Sequence, residues 1–298
     1  MTCRLAVLAT PLVLLLLDPR AALALEVNEE YRPQDEFKLD PWIDLPGPLD
    51  INKAVFYLFL ATALTIGTFF FVARRMQARP NRIQTAVEMA YVLMRDNIAG
   101  GNMDRRMAAK WFPFLAALFL FIWFSNMIGY LPLPTNTEET VNIFGLEVPS
   151  LALYAATANL SVPLVLTLIV WIAYHREGFK AKGVIGFYKA LVPAGVSGPS
   201  KGPIFVIELI SDFVRLVSLS VRLFANILAG HLLILFMGGG LVVLLNLAAV
   251  GSLILGLITA PLAVAFFLFE IGLVATLQAF IFSTLTAIYL GGAVAEEH

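Results

Sequence analysis

Ser218-Leu-Ser-Val-Arg222-Leu-Phe-Ala-Asn226-Ile-Leu-Ala-Gly-His231-Leu-Leu-Ile-Leu-Phe236 is a stretch suited to hydrocarbon that nonetheless carries an arginine, an asparagine and a histidine. It closes an apolar region that begins at Ile204. Further regions of this kind run from Ala54 to Ala73, Trp111 to Tyr130, Leu151 to Tyr174 and Leu253 to Leu290. A bilayer core of about 30 Å takes about 20 apolar residues of helix, and a backbone in lipid must satisfy its own hydrogen bonds. The pattern therefore predicts an all-α integral membrane protein with about five spanning regions. Composition agrees, with 59% hydrophobic and 14% charged residues among 298, and it sets soluble globular folds aside.

The last two regions are too long to stand upright. Ile204 to Phe236 would run about 50 Å and Leu253 to Leu290 nearly 60 Å at about 1.5 Å per residue. They are expected to form a strongly tilted helical hairpin, with Gly238-Gly239-Gly240 offering a turn and Pro261 a kink. Such a pair needs a protein partner to hold its tilt.

Charge sets the expected topology. The formal net charge of −1 hides a segregation of sign along the chain. Acidic residues from Glu26 to Asp50 precede the first span, whereas Arg74, Arg75, Arg79, Arg82, Arg95, Arg105, Arg106 and Lys110 follow it. The segment from Leu131 to Ser150 has no Lys or Arg, and the next, from His175 to Pro203, has Arg176, Lys180, Lys182, Lys189 and Lys201. The positive-inside rule puts the N-terminus outside and, across an odd number of spans, the C-terminus in the cytoplasm. Ile83, Val87, Ala90 and Met94 recur at helical spacing within the first basic loop, which suggests an interfacial amphipathic helix.

Residues 1–24 combine Arg4, the apolar run Leu5 to Leu17 and Ala22-Leu-Ala24, and read as a secretory signal peptide. Residues 25–53 follow as an extracytoplasmic segment, and 54–298 as a single transmembrane domain. Cys3 is the only cysteine, which excludes an intramolecular disulfide and thiolate-rich metal sites. No nucleophile, metal-ligand or phosphate-loop motif is visible. No cofactor, metal or nucleic-acid partner is expected.

The polar residues inside the spans are the functional candidates, because an ionisable group in hydrocarbon is costly. Glu208, Arg215 and Arg222 recur every seven residues along one helical face, with Asn226 a turn beyond. His231 lies about 180° away from Arg222 at about 100° per residue. Glu270 and Gln278 stand among apolar neighbours in the last span. The bland readings are a bundle ion pair for Arg222 and Glu270, hydrogen-bond glue for Asn226 and Gln278, and a packing role for His231. Glu208, Asp212 and Arg215 fall near the cytoplasmic end, where snorkelling and surface pairing are cheap.

Taken together, these residues resemble subunit a of the F-type ATP synthase. Ser220-Val-Arg222-Leu-Phe-Ala-Asn226-Ile-Leu-Ala-Gly-His231 is similar to that family's signature around its essential arginine. Leu277-Gln278-Ala279-Phe280-Ile281-Phe282 with Leu285-Thr286-Ala287-Ile288-Tyr289-Leu290 is similar to its C-terminal signature. Weaker likeness covers Ser125 to Pro132 and Thr157 to Ser161. The resemblance implies a stator subunit that works with a c-subunit ring, a b-subunit peripheral stalk and the rest of the synthase, the bilayer around it; the signal-like N-terminus, without the Arg-rich, Ser-rich bias of a transit peptide, favours a bacterial plasma membrane. In this reading Arg222 faces the ring carboxylates, and His231, Glu270, Asn226 and Gln278 serve proton translocation. ATP chemistry would belong to other subunits.

The family usually has seven residues from its titratable group to the glutamine, whereas Glu270 to Gln278 is eight. That turns one about 80° from the other unless a π-bulge lies between them. A proton- or sodium-coupled secondary transporter is the main rival, because it too would use midplane ionisable groups on broken helices. A purely structural membrane scaffold is a third reading. It predicts that neutralising Arg222 is tolerated.

Overall fold

Helices make up most of the computed structural model, which describes residues 39, 41–43, 51–77, 79–134, 140–143, 146–149, 151–192, 196, 198–245 and 249–295. The signal-like residues 1–24, most of the acidic N-terminal segment and Glu296-Glu297-His298 lie outside the described residues. Among the described residues, four helices are long and apolar enough to cross a membrane: Lys53–Arg74, Arg105–Gly129, Gly198–Val243 and Gly251–Val294.

Among the described residues, strand is confined to three two-stranded antiparallel ribbons. They are β1 (Pro41–Ile43) with β2 (Ile51–Asn52), β3 (Leu133–Pro134) with β6 (Leu151–Ala152), and β4 (Thr140–Ile143) with β5 (Leu146–Pro149). The chain divides into two compact units, one formed by Glu36–His231 with Phe269–His298, the other containing Leu232–Leu268.

In the larger unit, Asn52 opens α1 (Lys53–Arg75) by accepting a hydrogen bond from the Val55 amide at 3.2 Å. Asn81 does the same for α2 (Arg82–Val92) through the Gln84 amide at 2.8 Å. Each cap satisfies one of the orphan donors of a first helical turn. α2 continues as a π-helical stretch, Leu93–Gly100, in which Met94, Ile98 and Ala99 are buried. The amphipathic segment expected to lie on the membrane therefore also docks on protein.

α3 (Arg105–Gly129) is the hub, packed by α1, by the π-helical stretch after α2 and by α8 (Ala275–Val294). α8 also packs on α4 (Ser161–Lys189). Leu115, Ile122, Leu223, Ile227, Phe282 and Leu290 are core residues of this unit.

The third apolar region departs from the expectation of a helix over Leu151 to Tyr174. Its first residues form β6 and a 3₁₀ turn (Ala156–Ala158), and α4 begins only at Ser161. Packing on α3 explains the shift. Gly129 lets the Ala155 backbone approach so closely that a Cβ on residue 129 would lie 2.8 Å from the Ala155 Cα. Thr157 then donates to the Asn126 side-chain oxygen at 2.7 Å, with both residues buried.

At its other end α4 runs far beyond Tyr174. It carries Arg176, Lys180, Lys182 and Lys189 on helix where a loop was expected, with one interruption at Gly183 (φ 71°, ψ 163°).

α5 (Lys201–Leu235) is 35 residues long and passes into a π-helical stretch, Phe236–Gly240. Within Leu232–Leu268, the backbone leaves the helical region at Gly239 (φ 169°, ψ −24°), as the glycine run predicts. α6 (Leu241–Leu244) follows, and then α7 (Ala249–Phe269), which contains Pro261 inside one continuous helix.

Candidate proton-translocation site

α5 presents two chemically opposed faces. Leu219, Leu223, Ile227 and His231 are buried, whereas Arg215, Arg222 and Asn226 are exposed and Glu208 is half-buried. The 180° separation read from the sequence is thus realised as burial against exposure. The Arg222 guanidinium pairs with no carboxylate among the described residues. Arg215 lies over the Tyr289 ring at 5.8 Å.

His231 is fully buried. Its Nδ1 lies 2.9 Å from the Ile227 carbonyl oxygen and its Nε2 lies 3.0 Å from the Gly129 carbonyl oxygen. A neutral imidazole has one N–H and can donate to one of these acceptors; only the doubly protonated ring donates to both. The Tyr130 ring stacks on the imidazole at 4.5 Å between centroids. The same tyrosine donates its hydroxyl to Glu270 Oε2 at 3.0 Å. Tyr130 therefore joins the two titratable side chains.

Glu270 is 8% exposed. Gly230 makes room for it: a Cβ on residue 230 would lie 2.5 Å from the Glu270 Cδ and 2.6 and 2.7 Å from its two oxygens. Glu270 also opens a π turn, Glu270–Val274, in which the Ala275 amide donates to the Glu270 carbonyl five residues back. This extra residue brings Gln278, 3% exposed, onto a buried face as well. Gln278 donates from Nε2 to the Arg222 carbonyl oxygen at 3.3 Å. The eight-residue spacing is thus absorbed by a widened helical turn.

A second polar cluster surrounds Asp212. This residue is 5% exposed, which corrects the expectation that it snorkels to a surface. Tyr174 donates its hydroxyl to Asp212 Oδ1 at 2.6 Å, and Trp171 donates Nε1–H to Oδ2 at 2.9 Å. His175 Nε2 stands 3.4 Å from the same Oδ2, while its Nδ1 lies 2.9 Å from the Trp171 carbonyl oxygen. A buried carboxylate needs such partners because desolvation penalises an unpaired charge. Nearby, Glu177 is buried and hydrogen-bonded to Lys110. Among the described residues no group of three or more His, Cys, Asp or Glu forms a metal site.

Sequence reasoning did not single out Tyr130, Gly230, Trp171, Tyr174, His175, Glu177 or Lys110. Two signals were available. A glycine immediately before a candidate histidine invites a close contact, and Lys110 with Glu177 stand at the basic ends of two neighbouring spans.

The family model for the ATP synthase A chain matches residues 55–291, which include both polar clusters. This chain belongs to that family. Among similar proteins, ATP synthase subunit a of Rubrobacter xylanophilus is 34% identical over 244 residues, covering 81% of this chain and 83% of the relative. Subunit a of Hyphomonas neptunium is 32% identical over 265 residues, 88% and 95% of the two chains. Subunit a of Brucella ovis is 31% identical over 272 residues, 89% and 98%. ATP synthase A chain membership and the apolar helices make this a membrane-embedded, multi-pass protein.

Proposed function

We propose that this chain is the stationary proton-translocating subunit of a rotary F-type ATP synthase, providing two offset half-channels to a c ring with Arg222 as the barrier between them. The observation that carries this reading is the division of α5: an exposed arginine without a carboxylate partner among the described residues on one face, and a titratable Tyr130–His231–Glu270 group buried on the other.

Arginine is effectively never deprotonated, so Arg222 cannot pass a proton on; it can repel cations and hold a partner carboxylate ionised. A ring carboxylate arriving neutral from lipid gives its proton to one half-channel on meeting Arg222. It takes a proton from the other half-channel before it re-enters lipid. Each proton falling through 100 mV releases about 2.3 kcal/mol, and because the direct route is blocked the ring must turn.

His231 and Glu270 suit one half-channel, with Tyr130 holding them in register. Asn226 and Gln278 border the arginine, Asn226 one turn along the exposed face and Gln278 on its backbone carbonyl. Glu208, Asp212 and Arg215 are secondary polar candidates. The exposed Arg222 face of α5 is assigned to the c ring, and a b-subunit stalk completes the stator. The bacterial relatives and the basic segments support a bacterial plasma membrane, N-terminus outside and C-terminus cytoplasmic.

The test is ATP-driven acidification of inverted membrane vesicles carrying the assembled complex. Arg222→Ala at equal assembly is expected to lose pumping. Normal pumping by the variant would return Arg222 to a structural role.

A further inference from the structure

An apolar cavity of about 450 Å³ lies between α1, α2 and α3, away from the polar clusters, with Phe69, Val87, Met94, Phe119 and Trp123 in its walls. Its volume falls among those of ligand pockets, about 300–1,000 Å³. Its lining offers almost no polar surface, and Trp123 Nε1–H is already engaged by Thr276 Oγ1 at 3.1 Å. An apolar cavity of this kind excludes water.

At one edge Tyr91 and Phe112, packed edge-to-face at 5.1 Å, also line a second, polar cavity that contains Arg95, Asp96 and Arg105. Arg95 reaches Asp96 only loosely, at 3.9 Å and with both side chains mostly exposed. Arg105 has no ion pair among the described residues and begins α3, whose N-cap Asp104 makes no side-chain capping bond. Two guanidinium groups and an uncapped helix N-terminus favour an anionic oxygen cluster, and one carboxylate leaves this cavity net positive.

An apolar chamber beside a basic cavity, with Tyr91 and Phe112 common to both linings, has the polarity of one lipid molecule. We propose that the pair of cavities binds an anionic phospholipid, with an acyl chain between α1, α2 and α3 and its phosphate at Arg95 and Arg105. Basic pockets between membrane helices suit such headgroups, and a free phosphate would leave the apolar chamber unexplained. The site is separate from the proposed proton path and does not depend on it.

The test uses the assembled complex in nanodiscs of phosphatidylcholine containing a trace phosphatidylglycerol with a photoactivatable group on its acyl chain. Mass spectrometry of the cross-linked peptides is expected to find the label on residues 86–94 and 112–124, at least fivefold above an equivalent phosphatidylcholine probe. The double variant Arg95→Gln, Arg105→Gln is expected to lose most of that excess. Both side chains are exposed, so the fold is retained. Equal labelling by the two probes, unchanged labelling of the variant, or cross-links from a partner subunit's helix in place of lipid would overturn the proposal.

Discussion

The Arg222 face and the Asp212 cluster place charges of opposite sign on the same helix, in opposite circumstances. Asp212 is buried and receives hydrogen bonds from Trp171 and Tyr174, with His175 beside it, so this chain alone provides for its charge. Arg222, ten residues on, is exposed on an apolar face and has no carboxylate partner among the described residues. A charge completed within the chain contributes to the fold. A charge left open on a face made for hydrocarbon is stable only against something supplied from outside, and in the proposed mechanism that is the ring carboxylate. The Tyr130–His231–Glu270 group stands between these cases: it is enclosed, yet it is built from groups that can exchange protons.

This contrast can be broken by substitution. After the loss of pumping expected of Arg222→Ala, the largest effect is expected from Gly230→Leu, because even the first carbon of a side chain would lie 2.5 Å from the Glu270 carboxyl. Overpacking of this kind costs about 1–3 kcal/mol or more, and the displaced carboxylate should reduce ATP-driven pumping more than tenfold at equal assembly. Unimpaired pumping would remove Glu270 from the path.

Asp212→Ala sharpens the other side of the comparison. It strands the Trp171 and Tyr174 donors, each at about 1–3 kcal/mol. Thermal unfolding of the complex in detergent should therefore shift downward by several degrees. Arg222→Ala, by contrast, breaks no ion pair among the described residues and should lower that transition less than Asp212→Ala does. The smallest effect is expected from Tyr130→Phe, which keeps the stacked ring and deletes one hydrogen bond to Glu270. A two- to fivefold loss of pumping, with little loss of assembly, would fit the loss of about 0.5–1 kcal/mol.

Much of the fold was legible because hydrocarbon imposes a simple rule on the sequence: long apolar runs become helices. The glycine run at 238–240 was readable as a break, and the eight-residue spacing from Glu270 to Gln278 pointed to the π turn at Glu270–Val274. The start of α4 was not readable, because apolar residues 151–160 have the composition of a span; the close approach of Ala155 to Gly129 and the Thr157–Asn126 bond hold them in another form.

Of the site, Arg222, His231 and Glu270 stood out as polar residues in apolar runs. Their supports did not. Tyr130 and Gly230 are unremarkable in a membrane helix until the fold brings residues 130, 231 and 270 together. Asp212 was misjudged for a related reason: its depth depends on Trp171 and Tyr174, which come from a different helix.

Passive proton flux through vesicles stripped of the catalytic sector, at equal amounts of the assembled membrane sector, tests the central claim most directly. If Arg222 is the barrier between two half-channels, Arg222→Ala should leak protons several-fold faster than the unmodified chain while losing coupled pumping. A variant that neither leaks nor loses pumping would contradict the account and leave Arg222 as a residue of structure.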